Sequence, residues 1–411
     1  MNAFHRRRFL MQAGQLGLAA ALLPKLSAAQ QTRTIDLGLS GGTGIRPLTT
    51  ANQFGQKGEG LILQRTRAPM LETPISVFDE NLFTPNDKFY VRWHWADIPE
   101  AVDANLFRLT IHGHVNKTLS LSLKELMALP KIEMAAVNQC SGNSRGFFAP
   151  RVPGGEWGNG AMGNAKWTGV RLKDVLDRAG IKPGAQQVRF NGLDQPTSPN
   201  GPDFMKSLHI DHARDGEVMI AYAMNGQPLP LLNGFPLRLV VPGWYATYWV
   251  KMLNDIEVLD QPDENFWMKS AYLVPDRPFA SMKPGEQNVP MVPIGKMLPR
   301  SFITNIPANA KIAKNAPTKA RGIAFGGDCG VKEISFSTDD GKSWQSAKLG
   351  KDEGKYGFRR WEADFTLPQP GAQSLKVRCT NTRGEAQPDQ PNWNGSGYMR
   401  NVIEATPVEV V

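Results

Sequence analysis

Cysteine and histidine are scarce, with three and six residues in a chain of 411. Cys140, Cys329 and Cys379 stand far apart, and none opens a Cys-x-x-Cys-His motif, so the chain attaches no c-type haem of its own. No cysteine cluster can hold an iron–sulfur centre, and neither zinc-ligand spacing nor a helix-turn-helix pattern is present. Electrons released by a redox reaction here would have to leave to another protein. Long apolar runs are missing too, and nothing in the sequence is long and apolar enough to span a bilayer. Charge of one sign is nowhere concentrated. The net +9 is spread along the chain without the basic stripe and interleaved aromatics that nucleic acid requires. That balance serves solubility, or attraction of small anions or an acidic protein partner.

What is there suffices for two domains, each with its own core. The start reads as a twin-arginine signal peptide over residues 1–29: Arg6-Arg7-x-Phe9-Leu10, an apolar stretch over 13–23, then Ser27-Ala28-Ala29. The expectation is export of the folded protein and a periplasmic location. Residues 30–75 are polar and Gly-rich, read as an extended lead-in. Residues 89–95 (Phe-Tyr-Val-Arg-Trp-His-Trp) alternate like a strand, Arg92 and His94 on one face and Val91, Trp93 and Trp95 on the other. Strand character recurs over 106–115, and a capped helix over 122–126. Residues 132–137 form a further apolar strand-like run, which breaks into Gln139-Cys140-Ser141-Gly142-Asn143-Ser144-Arg145. A lone cysteine is as a rule a small, inert core residue. One held on a rigid turn at a strand tip, with Arg145 nearby, is also suited to thiolate chemistry or to a thiophilic metal.

Farther along, residues 167–176 read as the start of a packed helix, and Phe190 to Asp194 as a strand ending in a turn. A dense block follows: Ala221-Tyr222-Ala223-Met224-Asn225-Gly226, Asn233-Gly234-Phe235-Pro236-Leu237-Arg238, and Tyr248-Trp249-Val250-Lys251, then Tyr272. Residues 275–299 are rich in Pro, Gly and Met, as expected of an interdomain connection. Beyond them come short alternating runs (322–325, 334–337, 360–365, 375–379, 402–405) separated by Gly and Pro turns, the pattern of an antiparallel sandwich.

Taken together, Phe-x-Val-Arg-x-His, Cys-Ser-Gly-Asn-x-Arg, Ala-Tyr-x-Met-Asn-Gly, Gly-Phe-Pro-x-Arg and Val-Lys resemble, in order and spacing, the sulfite oxidase family of molybdenum enzymes. The resemblance spans nearly all of the chain after residue 75. It implies an α+β molybdopterin-binding domain (76–280), a linker (281–299) and an all-β immunoglobulin-like sandwich (300–411) that makes a homodimer contact. It implies molybdenum-molybdopterin with one pterin per metal, and oxidation of sulfite to sulfate. Electrons would pass to an external c-type cytochrome or haem subunit. Cys140 would be the metal ligand. Arg92, Arg145 and Arg400 would hold the substrate anion, Tyr272 would orient it and assist proton movement, and Trp157 would wall the pocket. Tyr90, Val91, Arg92, His94, Asp194, Asn233, Arg238, Trp249, Val250 and Lys251 would hold the cofactor. One departure is Asn233, where the family has histidine. In an oxidising compartment Cys329 and Cys379 would either pair or remain buried thiols. Alternatives are another oxo-transfer substrate (nitrate or an S-oxide), a non-catalytic redox-partner subunit, or an anion-binding protein.

Overall fold

Strand Lys131–Gln139 pairs antiparallel with Met162–Arg171 over nine successive residue pairs, from Lys131 with Val170 to Gln139 with Met162. Residues 135–139 are buried on both faces, so this ladder lies inside the domain rather than at its surface. Met219–Met224 extends the sheet on the Met162–Arg171 side and carries Gln227–Pro228 and Arg238–Val240. A second sheet is ordered Leu119–Ser122, Arg108–Gly113, Leu253–Leu259, Gln187–Gly192, Lys206–His209, with one parallel pair at its centre. Helix Leu172–Ala179 buries Leu172, Val175, Leu176 and Ala179, a stripe at helical spacing against the same core. Helix Leu123–Met127 starts at Ser122, whose side chain and Glu125 form a reciprocal capping box. This is a computed structural model describing residue 54 and residues 56–411. The signal-like segment and most of the 30–75 stretch lie outside the described residues.

The second, sheet-rich domain has two sheets. One is ordered Arg300–Ile303, Thr318–Phe325, Arg359–Phe365, Lys348–Leu349; the other Ala310–Ile312, Ala405–Val410, Gly371–Asn381, Val331–Ser337, Gln345–Ser346. Ile334, Phe336, Trp361, Leu375 and Val377 fill the space between them. Cys329 and Cys379 are free thiols, and burial pushes the Cys379 thiol well up.

Several sequence expectations shift. From residue 56 the lead-in belongs to the first domain: Ile62–Arg65 and Met70–Glu72 pair with each other, and the latter with Val91–Arg92. Leu61, Leu63 and Leu71 form a small core with Val91, Trp93 and Met252. The strand expected over 89–95 shrinks to Val91–Arg92, because Met70–Glu72 is the single strand beside it. Its two-face alternation survives. Residues 167–171 are strand, and the helix begins only at Leu172. Residues 402–404 are irregular, with the last strand at Ala405–Val410. The 275–299 connection is anchored by pairing of Leu273–Pro275 with Met291–Pro293.

Candidate active site and cofactor slot

Cys140 is the first residue beyond the nine-pair ladder, and its N–H donates to Ala161 O at 2.9 Å. The turn after it is fixed throughout. Asn143 N–H donates to Cys140 O (3.0 Å), and its side-chain oxygen accepts from Ala161 N–H (2.9 Å). Ser144 adopts φ 69°, a left-handed conformation uncommon for a non-glycine residue, and donates its N–H to Gly158 O (2.7 Å). Glu72 braces the loop opposite, its carboxylate accepting from Gly158 N–H (3.0 Å), Gly160 N–H (2.8 Å) and Gln64 (2.8 Å). A Cβ on Gly160 would overlap the carbonyl oxygen of Thr73, so this close approach needs glycine. The thiol therefore sits on a frame tied to two other segments.

Two cavities meet at Cys140, and both are lined by Arg92, Cys140 and Tyr272. The first is an open cleft of about 1100 Å³, walled also by Arg145, Trp157 and Tyr398. Arg145 makes no ion pair among the described residues. Its Nε donates to Gly397 O (3.2 Å), and its guanidinium lies 5.0 Å from the centre of the Tyr398 ring. Three glycines, one of them from the far end of the chain, leave room for it: a Cβ on Gly142, Gly154 or Gly397 would come within 2.5, 2.6 or 2.7 Å of a guanidinium nitrogen. Arg92 projects a buried Nη1 with no partner. Two uncompensated arginines thus flank the thiol in a cleft open to solvent.

The second cavity is a buried slot with no carboxylate among its lining residues. Arg92 Nη1, Asn138 Nδ2, Ser141 Oγ, Arg238 Nε and Thr247 Oγ1 all line it, buried and without partners. Unpaired buried polar atoms are costly, so such a set marks a place prepared for a polar ligand. Arg238 and Lys251, bridged as neighbouring strand residues, bring positive charge. Burial and repulsion by Arg238 pull Lys251 down, while burial pushes nearby Asp194 up, each toward neutrality.

His94 Nε2 lies 2.5 Å from Tyr272 Oη. Burial, then the charges of Arg92, Lys251 and Lys206, hold His94 well below the usual range, and burial raises Tyr272 well above its own. Both shifts favour the neutral forms of the two groups. Tyr272 has φ 58°, another strained position at the thiol.

The structure brings together most of the residues expected from the sequence. Arg92, Arg145, Trp157 and Tyr272 line the cleft, and Tyr90, Val91, His94, Asn233, Arg238, Trp249 and Lys251 line the slot. Others stand elsewhere. Arg400 does not line the cleft; it pairs with Glu404, as does the fully buried Arg300. Tyr398 and Ser396 reach the cleft in its place. Asp194 is buried behind the slot wall, and Val250 is a core residue whose carbonyl accepts from Leu239 N–H. Asn233 spends its whole amide internally, accepting from Lys57 and donating to Tyr90 O (3.1 Å). Asn138, Ser141, Thr247, Lys57, Lys206 and Glu72 were not expected. Asn138 had a signal: it stands two residues before Cys140 near the end of the strand, the spacing of one strand face.

Residues 95–267 match the family described as oxidoreductase molybdopterin binding domain, and residues 293–410 match the Mo-co oxidoreductase dimerisation domain. Sulfite oxidase of Gallus gallus is 32% identical over 351 residues, covering 80% of this chain and 73% of that protein. The chain belongs to the sulfite oxidase family. Mitochondrial sulfite oxidase of Mus musculus is 32% identical over 357 residues, 83% of this chain, which spans 64% of the mouse protein. The sulfane dehydrogenase SoxCD from Paracoccus pantotrophus shares the fold, with a TM-score of 0.70 at 24% identity over 83% of this chain and 84% of that one. The acid-free slot with its unpartnered donors, opening onto a cysteine thiol, fits the molybdopterin that the first domain of this family binds.

Proposed function

We propose that the chain oxidises sulfite to sulfate. Cys140 would be the protein ligand to molybdenum, with one pterin seated in the slot by Arg92, Asn138, Arg238, Thr247 and Lys251. Bound there, the group supplies a two-electron acceptor and the oxygen transferred to sulfur. The observation that carries the reading is the position of Cys140, where a buried cationic slot and an arginine-walled open cleft share the thiol. Sulfite is a small, strongly hydrated dianion, and fixed guanidinium groups are what offset its desolvation. Arg92 and Arg145 face it from two sides. Trp157, 1% exposed, forms a rigid wall that keeps water from the back of the cleft. Tyr272 Oη would donate its proton to a sulfite oxygen while accepting from His94 Nε2, which fixes the hydroxyl's direction.

The overall change is sulfite plus water to sulfate, two protons and two electrons. With no haem motif in the chain, two successive one-electron transfers to an external c-type cytochrome or haem subunit would complete the cycle. The second domain would be an immunoglobulin-like sandwich making a homodimer, a reading its match to a dimerisation domain supports. Periplasmic location would follow from the twin-arginine pattern.

Rapid mixing of the purified enzyme with sulfite and a periplasmic c-type cytochrome tests this. Sulfite-dependent haem reduction is the expected result. Turnover of nitrate or an S-oxide in place of sulfite would reassign the substrate.

A further inference from the structure

Lys57 is a buried lysine that the reaction above does not use. It is 2% exposed, and its ammonium donates to Asn86 O and Phe89 O (2.8 Å each) and to the side-chain oxygen of Asn233. It makes no ion pair among the described residues. Burying a charge without a paired carboxylate costs more than burying an apolar side chain of the same size. Burial pulls Lys57 down to about 7, with Asp87 acting upward and Arg238 acting downward again. The residue is thus held in a place hostile to its charge.

Asn233 explains the position. It lines the slot, its side chain takes the Lys57 hydrogen bond, and its own carbonyl accepts from Arg238 Nη1 at 3.0 Å. One residue thereby joins two cations. Lys251 stands alongside, joined to Arg238 by a backbone β-bridge, with its ammonium 4.2 Å from the centre of the Trp93 ring. The segment before Lys57 is fastened to the same turn, since Gln56 accepts from Leu231 N–H at 2.9 Å. Three buried basic groups surround one turn beside a slot wall without a carboxylate. Asp87 acts on Lys57, and Asp194, itself pushed toward neutrality, acts on Lys251, so an anion in the slot would favour all three charges.

Given the cofactor reading above, we infer that Lys57 is a retention residue of the slot. It locks Asn233 and adds its charge to those of Arg238 and Lys251, which would hold the anionic group of the cofactor. Once the anion is bound, the lysine's burial ceases to be unfavourable, and the segment at 56–58 is held down over the 231–233 turn. Cofactor retention and docking of this segment are therefore coupled.

The test uses the loaded enzyme with Lys57→Met, Lys57→Gln and Lys57→Arg. Molybdenum per chain is measured by metal analysis, and pterin release during prolonged incubation by fluorescence of the oxidised pterin. Circular dichroism confirms folding. Gln keeps a donor for the carbonyls but no charge, so it separates bracing from electrostatics even where Met fails to fold. The Met and Gln variants are expected to release pterin about ten- to hundredfold faster, the usual cost of removing a group that supports a ligand from behind, with Arg near the wild-type rate. A folded Gln variant releasing pterin at the wild-type rate would overturn the inference and leave Lys57 a structural brace. Wild-type protein that never contains pterin would instead sink the cofactor reading itself.

Discussion

Arg92 and Arg145 come from segments over fifty residues apart, yet both turn uncompensated guanidinium groups toward Cys140. Replacing either with Met should raise KM for sulfite by roughly ten- to a hundredfold, about 1.4–2.8 kcal/mol of lost anion binding. Steady-state kinetics will read this, and an unchanged KM would remove that arginine from the substrate site. Tyr272→Phe should act differently, lowering kcat by about tenfold or more while KM moves little, because it removes the hydroxyl beside His94 rather than a charge. These residues were legible in the sequence because their motifs are local. Lys57 and Lys206 were not, since a lysine reads as a surface residue until the fold buries it. Lys206 is fully buried, its ammonium donating to Trp267 O (2.7 Å) and lying 4.7 Å from the Tyr248 ring centre. Arg400 was over-read: its tail does reach the cleft, but through Tyr398, while Glu404 holds the arginine.

Among the elements, the strand Met70–Glu72 carries unexpected weight. Glu72 and Thr73 clasp the loop 158–160, which in turn holds the Cys140 turn through Gly158 O and Ser144 N–H. Glu72→Ala leaves the buried Gly160 N–H and the half-buried Gly158 N–H without an acceptor and should destabilise the protein by about 2–6 kcal/mol, from a cost of ~1–3 for each group. A chemical denaturation midpoint unchanged from wild type would contradict the clasp. The strand was missed because three residues flanked by turns carry too little periodicity to register. The ladder before Cys140 was read correctly, since a run over 132–137 that is apolar except at Glu133, followed by a Gly/Asn/Ser turn, leaves few alternatives. The helix at Leu172 was placed too early for a related reason. Residues 167–171 (Trp-Thr-Gly-Val-Arg) are apolar at positions compatible with either period, and pairing with 131–134 on one side and 219–224 on the other decides for strand.

At the scale of the whole molecule, the two domains share contacts that reach the site. The loop before Arg359–Phe365 lays Tyr356 beside the Cys140 strand, where Val137 N–H donates to Tyr356 O at 2.8 Å. Asp79 of the first domain pairs with Arg321 of the second at 2.8 Å. The two-domain plan was visible in the change from mixed to short-strand patterning. These bridges were not, because they join residues some two hundred positions apart. The buried lysines also set a pH dependence for the fold. Burial pulls Lys206 down to about 7, against 10.5 when exposed. Between those values the unfolded chain binds the extra proton, so stability rises with pH from about 7 toward 10. Melting curves should show that rise, and Lys206→Met should reduce it, with Lys57 and Lys251 supplying the remainder; an unchanged rise in the variant would contradict this origin. Sedimentation should give twice the mass of one chain, as the dimerisation domain implies, and a monomer at micromolar concentration would count against it. The central claim is that Cys140 holds a catalytic molybdenum between slot and cleft. It is tested most directly by molybdenum content and sulfite-dependent acceptor reduction, measured together in wild type and Cys140→Ser. Wild type should carry about one molybdenum per chain and turn over sulfite, with activity lost in the serine variant. A Cys140→Ser protein that oxidises sulfite at the wild-type rate, or an active wild type free of molybdenum, would contradict it.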